Sequence, residues 1–244
     1  MHRVLIPPHA VRGREITVTD SDALHHLLDV LRVVVGDRLE CFDGQGLSYA
    51  GQVIRSGHQA LTLAIDGRTQ EPRPRLAITL AQALIRPELF EWVIQKSTEL
   101  GVVQIIPTLT SRTRVRLPRH GGAARLERWR RIAEAAAAQC GRCSLPLITA
   151  PQAFEDVLKT VGPRYALLPT LVEHGTPLGD HGGRLQGVRE AVLLIGPEGD
   201  FSAEEIALAK GQGVHLVTLG RATLRSETAA IAALAVVQHL VGAL

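Results

Sequence analysis

Two short stretches in the C-terminal third hold residue types that could grip a ligand and act on it. The first is Gly196-Pro-Glu-Gly199, which ends the apolar run Ala191-Val-Leu-Leu-Ile195. The second opens at Leu219-Gly220, after the run that starts at His215, and continues to Leu224-Arg-Ser-Glu-Thr-Ala229. Each is a strand pattern that breaks at glycine and feeds a helix, and strand-to-helix turns are where open α/β sheets bind ligands. Glycine lets main-chain amides and carbonyls approach a ligand closely. Pro197 stiffens its loop, Leu219 and Leu224 offer an apolar wall, and Arg225 and Glu227 place paired charges at a helix start. The set suits a flat heteroaromatic ligand held by the main chain.

The familiar catalytic signatures are missing. There is no G-x-x-x-x-G-K-[ST], no H-E-x-x-H, no G-x-S-x-G and no G-x-G-x-x-G after a strand. P-loop NTPases, zincins, α/β-hydrolases and ordinary dinucleotide-binding enzymes are therefore not the first choices. The three cysteines are too few and too scattered for a disulfide framework, which points to a reducing, cytoplasmic setting. Cys140-Gly-Arg-Cys143 lacks the further ligands a zinc site needs, and adjacent helical residues such as His25 and His26 point apart, so no metal is expected. No signal peptide or membrane span is visible, because Pro7-Pro8 interrupts the start and Gln238-His239 the apolar end. The net charge of +3 conceals one basic segment: residues 112–131 carry eight arginines against Glu127 alone. Arginine suits bidentate contact with phosphate, so a polyanion such as RNA is the expected partner.

The elements that must carry these residues fall into two patterns. Up to Ile65, short alternating runs separated by turn residues read as strands, with one helix over Ser21–Arg32 capped by Ser21. A small β-barrel is the expected arrangement, since closure removes exposed edges. The polar, proline-containing stretch from Asp66 to Arg75 reads as a linker. From Leu76 the pattern becomes strand–helix alternation, which predicts a mostly parallel sheet. Pro87 and Gly101 punctuate a helix over 88–100, and Ser202-Ala-Glu-Glu205 is a capping box. Residues 172–187, with five glycines, read as a loop. The expected organisation is residues 1–70 as one domain, 71–75 as a linker and 76–244 as an α/β domain. On this reading alone the chain is a ligand-binding α/β protein that acts on or binds nucleic acid.

Several motifs in order take the reading further. They are Lys96-Ser-Thr-Glu-Leu-Gly-Val102, Arg128-Trp-Arg-Arg-Ile132 with 135–142, Ile195-Gly-Pro-Glu-Gly199 with Phe201-Ser202, and Leu219-Gly-Arg-Ala-Thr-Leu-Arg-Ser-Glu-Thr-Ala229. His26, Val30-Leu-Arg32 and Gly36-Asp37 add a fainter match near the start. Together they resemble the ribosomal RNA small subunit methyltransferase E family of the SPOUT class, over nearly the whole chain. The resemblance implies a PUA-like RNA-binding β-barrel followed by a SPOUT α/β domain with a C-terminal trefoil knot. It implies a homodimer that transfers a methyl group from S-adenosyl-L-methionine to N3 of a uridine in 16S rRNA of the assembled small ribosomal subunit.

Carried onto this chain, the resemblance places the cofactor against Leu168, Pro169, Ile195, Gly196, Glu198, Gly199, Leu219, Gly220 and Leu224, with Arg225, Glu227 and Thr228 at the edge. Arg225 and Glu198 are the catalytic candidates: Arg225 to orient the uracil, Glu198 as a base or a holder of its loop. Arg3, Arg32, Arg112, Arg114, Arg116 and Arg119 are the expected RNA contacts, with Arg112 and Arg114 clamping phosphate independently of the cofactor. Two departures stand out. The family's loop usually has a second glycine where Asp200 stands, and Ala222-Thr223 replace basic or branched residues. Any weakening from these falls on cofactor affinity. Two other readings remain, a non-catalytic rRNA-binding assembly factor and a SPOUT methyltransferase for another RNA.

Overall fold

Alternating burial along Glu15–Val18 and Arg38–Phe42 marks strands with one face in a core. In the computed structural model, which describes residues 2–115, 122–162 and 164–244, they belong to the first of two compact units. That unit comprises the chain up to Arg73 together with Glu134–Leu145. Its strands are β1 (His2–Leu5), β2 (Val11–Arg12), β3 (Glu15–Val18), β4 (Arg38–Phe42), β5 (Leu47–Gly57) and β6 (Ala60–Gln70). They form one sheet in the order β1-β4-β5-β6-β3-β2, antiparallel except where β1 runs parallel to β4. β6 continues to Gln70, through the first half of the polar stretch read as linker. Gly51 sits where β5 and β6 shift register, and a Cβ there would lie 2.5 Å from the Ala64 carbonyl oxygen, so only glycine fits.

The predicted helix over 21–32 is divided. α1 (Ser21–His25) gives way to a π-helical turn over His26–Val30. Its cap is Asp20 rather than Ser21: the Asp20 carboxylate accepts from the Ala23 amide at 2.9 Å. Arg32 follows in the left-handed region at φ 55°, with its side chain exposed.

Arg3 does not extend into solvent as an RNA contact would. Its side chain is only 11% exposed, and it donates to the carbonyls of Ala137 and Arg142 at 3.2 Å and to Glu40 at 3.1 Å. The guanidinium also lies 5.0 Å from the centre of the Phe42 ring. Arginine's fan of donors suits this multivalent, half-buried role. It bolts Glu134–Leu145 to the sheet, although more than a hundred residues separate them in sequence.

The second unit comprises Pro74–Ala133 and Pro146–Leu244. Its strands are β7 (Ala77–Ala83), β8 (Gln104–Leu109), β9 (Leu147–Ile148), β10 (Gln152–Ala153), β11 (Tyr165–Pro169), β12 (Thr176–Pro177), β13 (Glu190–Ile195) and β14 (His215–Thr218). All pairings are parallel, in the order β10-β8-β7-β13-β11-β14-β12 with β9 beside β8. The helices are α2 (Pro87–Glu99), α3 (Gly122–Cys140, of which the residues up to Ala133 belong to this unit), α4 (Phe154–Val161), α5 (Gly182–Gln186), α6 (Ala203–Gly211) and α7 (Ser226–Leu240). Pro87 opens α2, and Gly101 at φ 82° follows it, as the punctuation predicts.

Along β13, residues alternate between two cores. Ala191, Leu193 and Ile195 pack with Phe90, Val93, Trp129, Ala233 and Leu234 of α2, α3 and α7. Val192 and Leu194 pack with Phe154, Leu158, Ile206 and Ala209 of α4 and α6. The sheet is thus covered on both faces, which is why its central strands read as unbroken apolar runs. Among the described residues no helix is long and apolar enough to cross a membrane.

Residues 172–187 are not simply a loop. They hold β12, a 3-10 turn over Leu178–His181 and α5. Buried His181 joins them to the sheet, hydrogen-bonded to the Tyr165 hydroxyl at 2.5 Å and to the Thr176 hydroxyl at 2.7 Å. Burial, with His215 and Arg184 adding, holds the His181 pKa below its usual value.

Two outcomes follow for stability. Phe90 is 1% exposed with its ring 4.8 Å from that of Trp129, so Phe90→Ala is expected to cost about 3–5 kcal/mol in urea unfolding. Trp92, on the same helix but 40% exposed, should tolerate alanine far better. A histidine with a lowered folded pKa binds fewer protons folded than unfolded, so stability falls as pH drops below about 6.5. His181→Asn should flatten that acid limb in melting curves measured from pH 7 to 5.

Candidate active site

Because the strands are parallel, β11, β13 and β14 end on the same edge of the sheet, at Pro169, Ile195 and Thr218. The chain leaves them through three turns, at Thr170–Leu171, Gly196–Asp200 and Leu219–Leu224, and the last leads into α7. These turns and the first residues of α7 line one open cleft of about 100 Å³.

Buried hydrogen bonds set the positions of the turns. The Gln82 side-chain amide of β7 donates to the Ser226 hydroxyl at 2.9 Å, and Ser226 donates to the Gly196 carbonyl at 2.5 Å. A strand, a loop and a helix start are thereby joined at one point. The predicted capping box forms at α6: the Glu205 amide donates to Ser202 Oγ at 3.2 Å, and the Ser202 amide to Glu205 Oε2 at 2.9 Å. The other Glu205 oxygen accepts from the Ser111 amide at 2.7 Å, tying in the turn after β8. Hydrogen bonding to Ser202 holds the neighbouring Glu204 carboxyl below the usual carboxylate range, with the Arg112 charge a lesser contribution.

Asp200, the departure from the expected glycine, takes a left-handed conformation at φ 59°. Its carboxylate makes three bonds that glycine cannot. Oδ1 accepts from the Phe201 amide at 2.8 Å, and Oδ2 accepts from the Thr170 hydroxyl at 3.0 Å and the Leu171 amide at 2.9 Å. It staples the turn after β13 to the turn after β11, two walls of the same cleft.

Of the residues expected around a cofactor, Pro169, Ile195, Gly196, Glu198, Leu219, Gly220 and Leu224 line this cleft. Asp200, Ala222 and Thr223, flagged in the sequence for cofactor affinity, line it as well, as do Thr170, Leu171, Pro197, Ser226 and Ala229, which were not expected as ligand contacts. Leu168 is fully buried in the core, because strand alternation turns it away from the edge. Gly199 is outside the lining, and its carbonyl accepts from Arg112 Nη1 at 2.7 Å. Arg112 is thus engaged with the Gly196–Gly199 loop, not held apart from the ligand cleft as the sequence reading had it. Thr228 is exposed on the first turn of α7 and lines neither this cleft nor the next.

Arg225 and Glu227 line a second, adjoining cleft with Arg86, Leu89, Arg114 and Val115. Glu198, Thr223 and Leu224 line both, so the two clefts meet there. Arg116 and Arg119 lie outside the described residues. Arg86 escaped the sequence reading; its one signal is the Arg-Pro step that opens α2. Chemically, the first cleft presents apolar side chains and main-chain edges. The second presents three guanidinium groups and two carboxylates, which suits an anionic substrate with a polar face.

A family model described as an RNA methyltransferase domain matches residues 71–238, and one described as an RNA methyltransferase PUA domain matches residues 18–66. Ribosomal RNA small subunit methyltransferase E of Synechocystis is 34% identical over 98% of this chain and 78% of its own length. The crystal structure of the Neisseria gonorrhoeae ribosomal RNA small subunit methyltransferase E bound to S-adenosyl methionine is 30% identical, covers 98% of both chains and superposes with a TM-score of 0.87. A Legionella pneumophila structure in complex with the cofactor SAM is 31% identical, covers 97% of this chain and 96% of its own, and gives a TM-score of 0.85. With relatives alike along nearly its whole length, and an RNA methyltransferase domain model matching residues 71–238, this chain belongs to the ribosomal RNA small subunit methyltransferase E family of RNA methyltransferases.

Proposed function

We propose that the protein transfers a methyl group from S-adenosyl-L-methionine to N3 of a uridine in 16S rRNA, acting on the assembled small subunit in the cytoplasm. The observation that carries this reading is the meeting of an apolar, main-chain-lined cleft with an arginine-lined one at Glu198, Thr223 and Leu224. A methyl donor in the first and a nucleotide in the second would face each other across that rim.

The residues present fit the cofactor. Ile195, Leu219 and Leu224 offer apolar faces for an adenine ring, with the main chain of Gly196 and Gly220 beside them. Gly220 takes φ 121°, and a Cβ there would meet nothing within 4 Å, so its main chain borders open space. Ala222 and Thr223 keep the opposite wall low. When bound, S-adenosylmethionine supplies a methyl group on a positively charged sulfur, which favours in-line attack by an electron-rich atom.

Arg225 orients the uracil and stabilises charge on its carbonyl oxygens as N3 loses its proton. Glu198, exposed at the rim of both clefts, holds the loop between them and keeps the two ligands in line. Arg114 contacts phosphate, as do Arg116 and Arg119 in this reading. The first unit, a PUA-like barrel in this reading, docks RNA shape with Arg32 on its surface. The C-terminal segment is placed in a trefoil knot and the chain in a homodimer.

The test is incubation with labelled S-adenosylmethionine and small subunits, free 16S rRNA or tRNA, followed by mass spectrometry of the nucleosides. N3-methyluridine from the subunits is expected. Label on tRNA, or on another nucleoside, overturns the substrate assignment, and no label anywhere favours a binding factor. Asp200→Ala loses a charged staple and strains φ, so calorimetry should find cofactor binding weakened by about tenfold or more. Arg114→Ala should leave cofactor affinity alone, weaken subunit binding and reduce its salt slope by about one.

A further inference from the structure

Glu227 is the second residue of α7 and lines the arginine-rich cleft, yet it is only 8% exposed. Its Oε2 is buried and has no hydrogen-bond partner among the described residues. Buried acceptors without a donor are rare, and one beside a cleft calls for a donor from a ligand. Arg86, Arg114 and Arg225 line the same cleft, and none of them bonds to this carboxylate. Glu198 differs: it is exposed at the rim, where water satisfies it.

This arrangement has a counterpart in one nucleobase edge. Uracil presents a carbonyl oxygen, an N3–H and a second carbonyl oxygen in a row. A carboxylate accepts from the N3–H, and guanidinium groups donate to the oxygens on either side. Cytosine carries no proton at N3 and cannot make the central bond. The terminal torsion of a glutamate is broad, so either oxygen can be turned towards the cleft.

We infer that Glu227 is the general base of the reaction, and that it selects uracil by accepting the N3–H. The inference rests on the uridine-N3 reading of the site and assigns the proton within it. The N3–H bond breaks and its proton passes to a Glu227 oxygen. The freed N3 electron pair forms the bond to the methyl carbon, and the old carbon–sulfur pair stays with sulfur. The negative charge of the carboxylate and the positive charge of the sulfonium disappear together. Glu227 then returns its proton to water through the open cleft. This role replaces the cofactor-edge position expected from the sequence.

Two measurements test it. In single turnover on small subunits, Glu227→Gln should slow N3-methyluridine formation by about a hundredfold or more, the usual worth of a positioned base. Its cofactor affinity, by calorimetry, should stay within about twofold of wild type, and Glu198→Gln should slow the reaction by less than tenfold. The second measurement needs no turnover. Without cofactor, the wild type should bind subunits that lack the methyl group more tightly than methylated ones, because only the former offer the N3–H. Glu227→Ala should abolish that preference while keeping the wild-type melting temperature. A wild-type rate in Glu227→Gln, a loss of cofactor affinity in it, or an unchanged preference in Glu227→Ala overturns the assignment. If the wild type itself forms no N3-methyluridine, the uridine reading fails and takes this inference with it. Turnover kept by the wild type and by both variants overturns the inference alone.

Discussion

Everything at the site depends on one buried chain of hydrogen bonds, from Gln82 through Ser226 to the Gly196 carbonyl. Gln82 is fully buried in the middle of the sheet, where its amide nitrogen is paired while its Oε1 has no partner among the described residues. Its donors reach Ser226 and the Ala83 carbonyl, and Ser226 passes the connection on to the loop after β13. Three segments distant in sequence thus share one fixed point. Ser226 itself lines the first cleft, and its neighbours Arg225 and Glu227 line the second. A ligand site needs this rigidity, because a small displacement at the rim would separate donor from acceptor.

Around that point the loops are held by charge as well as by packing. Asp200 bonds to Thr170, Leu171 and Phe201, Glu205 to Ser111 and Ser202, and Arg112 to Gly199. These ionic side chains are set mainly against main-chain groups, the Thr170 hydroxyl being the one side-chain partner among these bonds. Such charge-assisted bonds are stronger than neutral ones and give fixed geometry to backbone that has no regular structure. They explain how turns rich in glycine and small residues can form a defined cleft. The arginine-lined cleft is arranged in the opposite way. Its Glu227 oxygen lacks a partner among the described residues, which leaves that cleft ready for a ligand where the first is already braced.

Local signals read the elements well. Pro87 and Gly101 bound α2, Ser202 and Glu205 start α6, and apolar runs locate the strands of the parallel sheet. They failed where packing decided. The glycines of residues 172–187 hide α5 and its neighbours, yet a Cβ on Gly182 would lie 3.2 Å from Leu240, so close approach to α7 selects glycine there. Asp200 read as a defect because its gains come from Thr170 and Leu171, thirty residues away. The resemblance placed Leu168 at the cofactor with Pro169, whereas its side chain is buried in the core along β11. Arg3 and Arg112 read as free cations, and their carbonyl partners are invisible in one dimension.

The sequence by itself determined the α/β class, the parallel sheet, the two glycine-broken turns and their resemblance to an RNA methyltransferase family. These are matters of residue type and short spacing, governed by backbone propensity and periodicity. Tertiary structure alone decided that those turns converge on one cleft, that a second cleft adjoins it, and which arginines are free to meet a ligand. It also decided that Glu227, rather than the more obvious Glu198, carries a buried, unpartnered carboxylate oxygen. Burial and pairing depend on what other segments bring to a residue, and no local pattern contains that information.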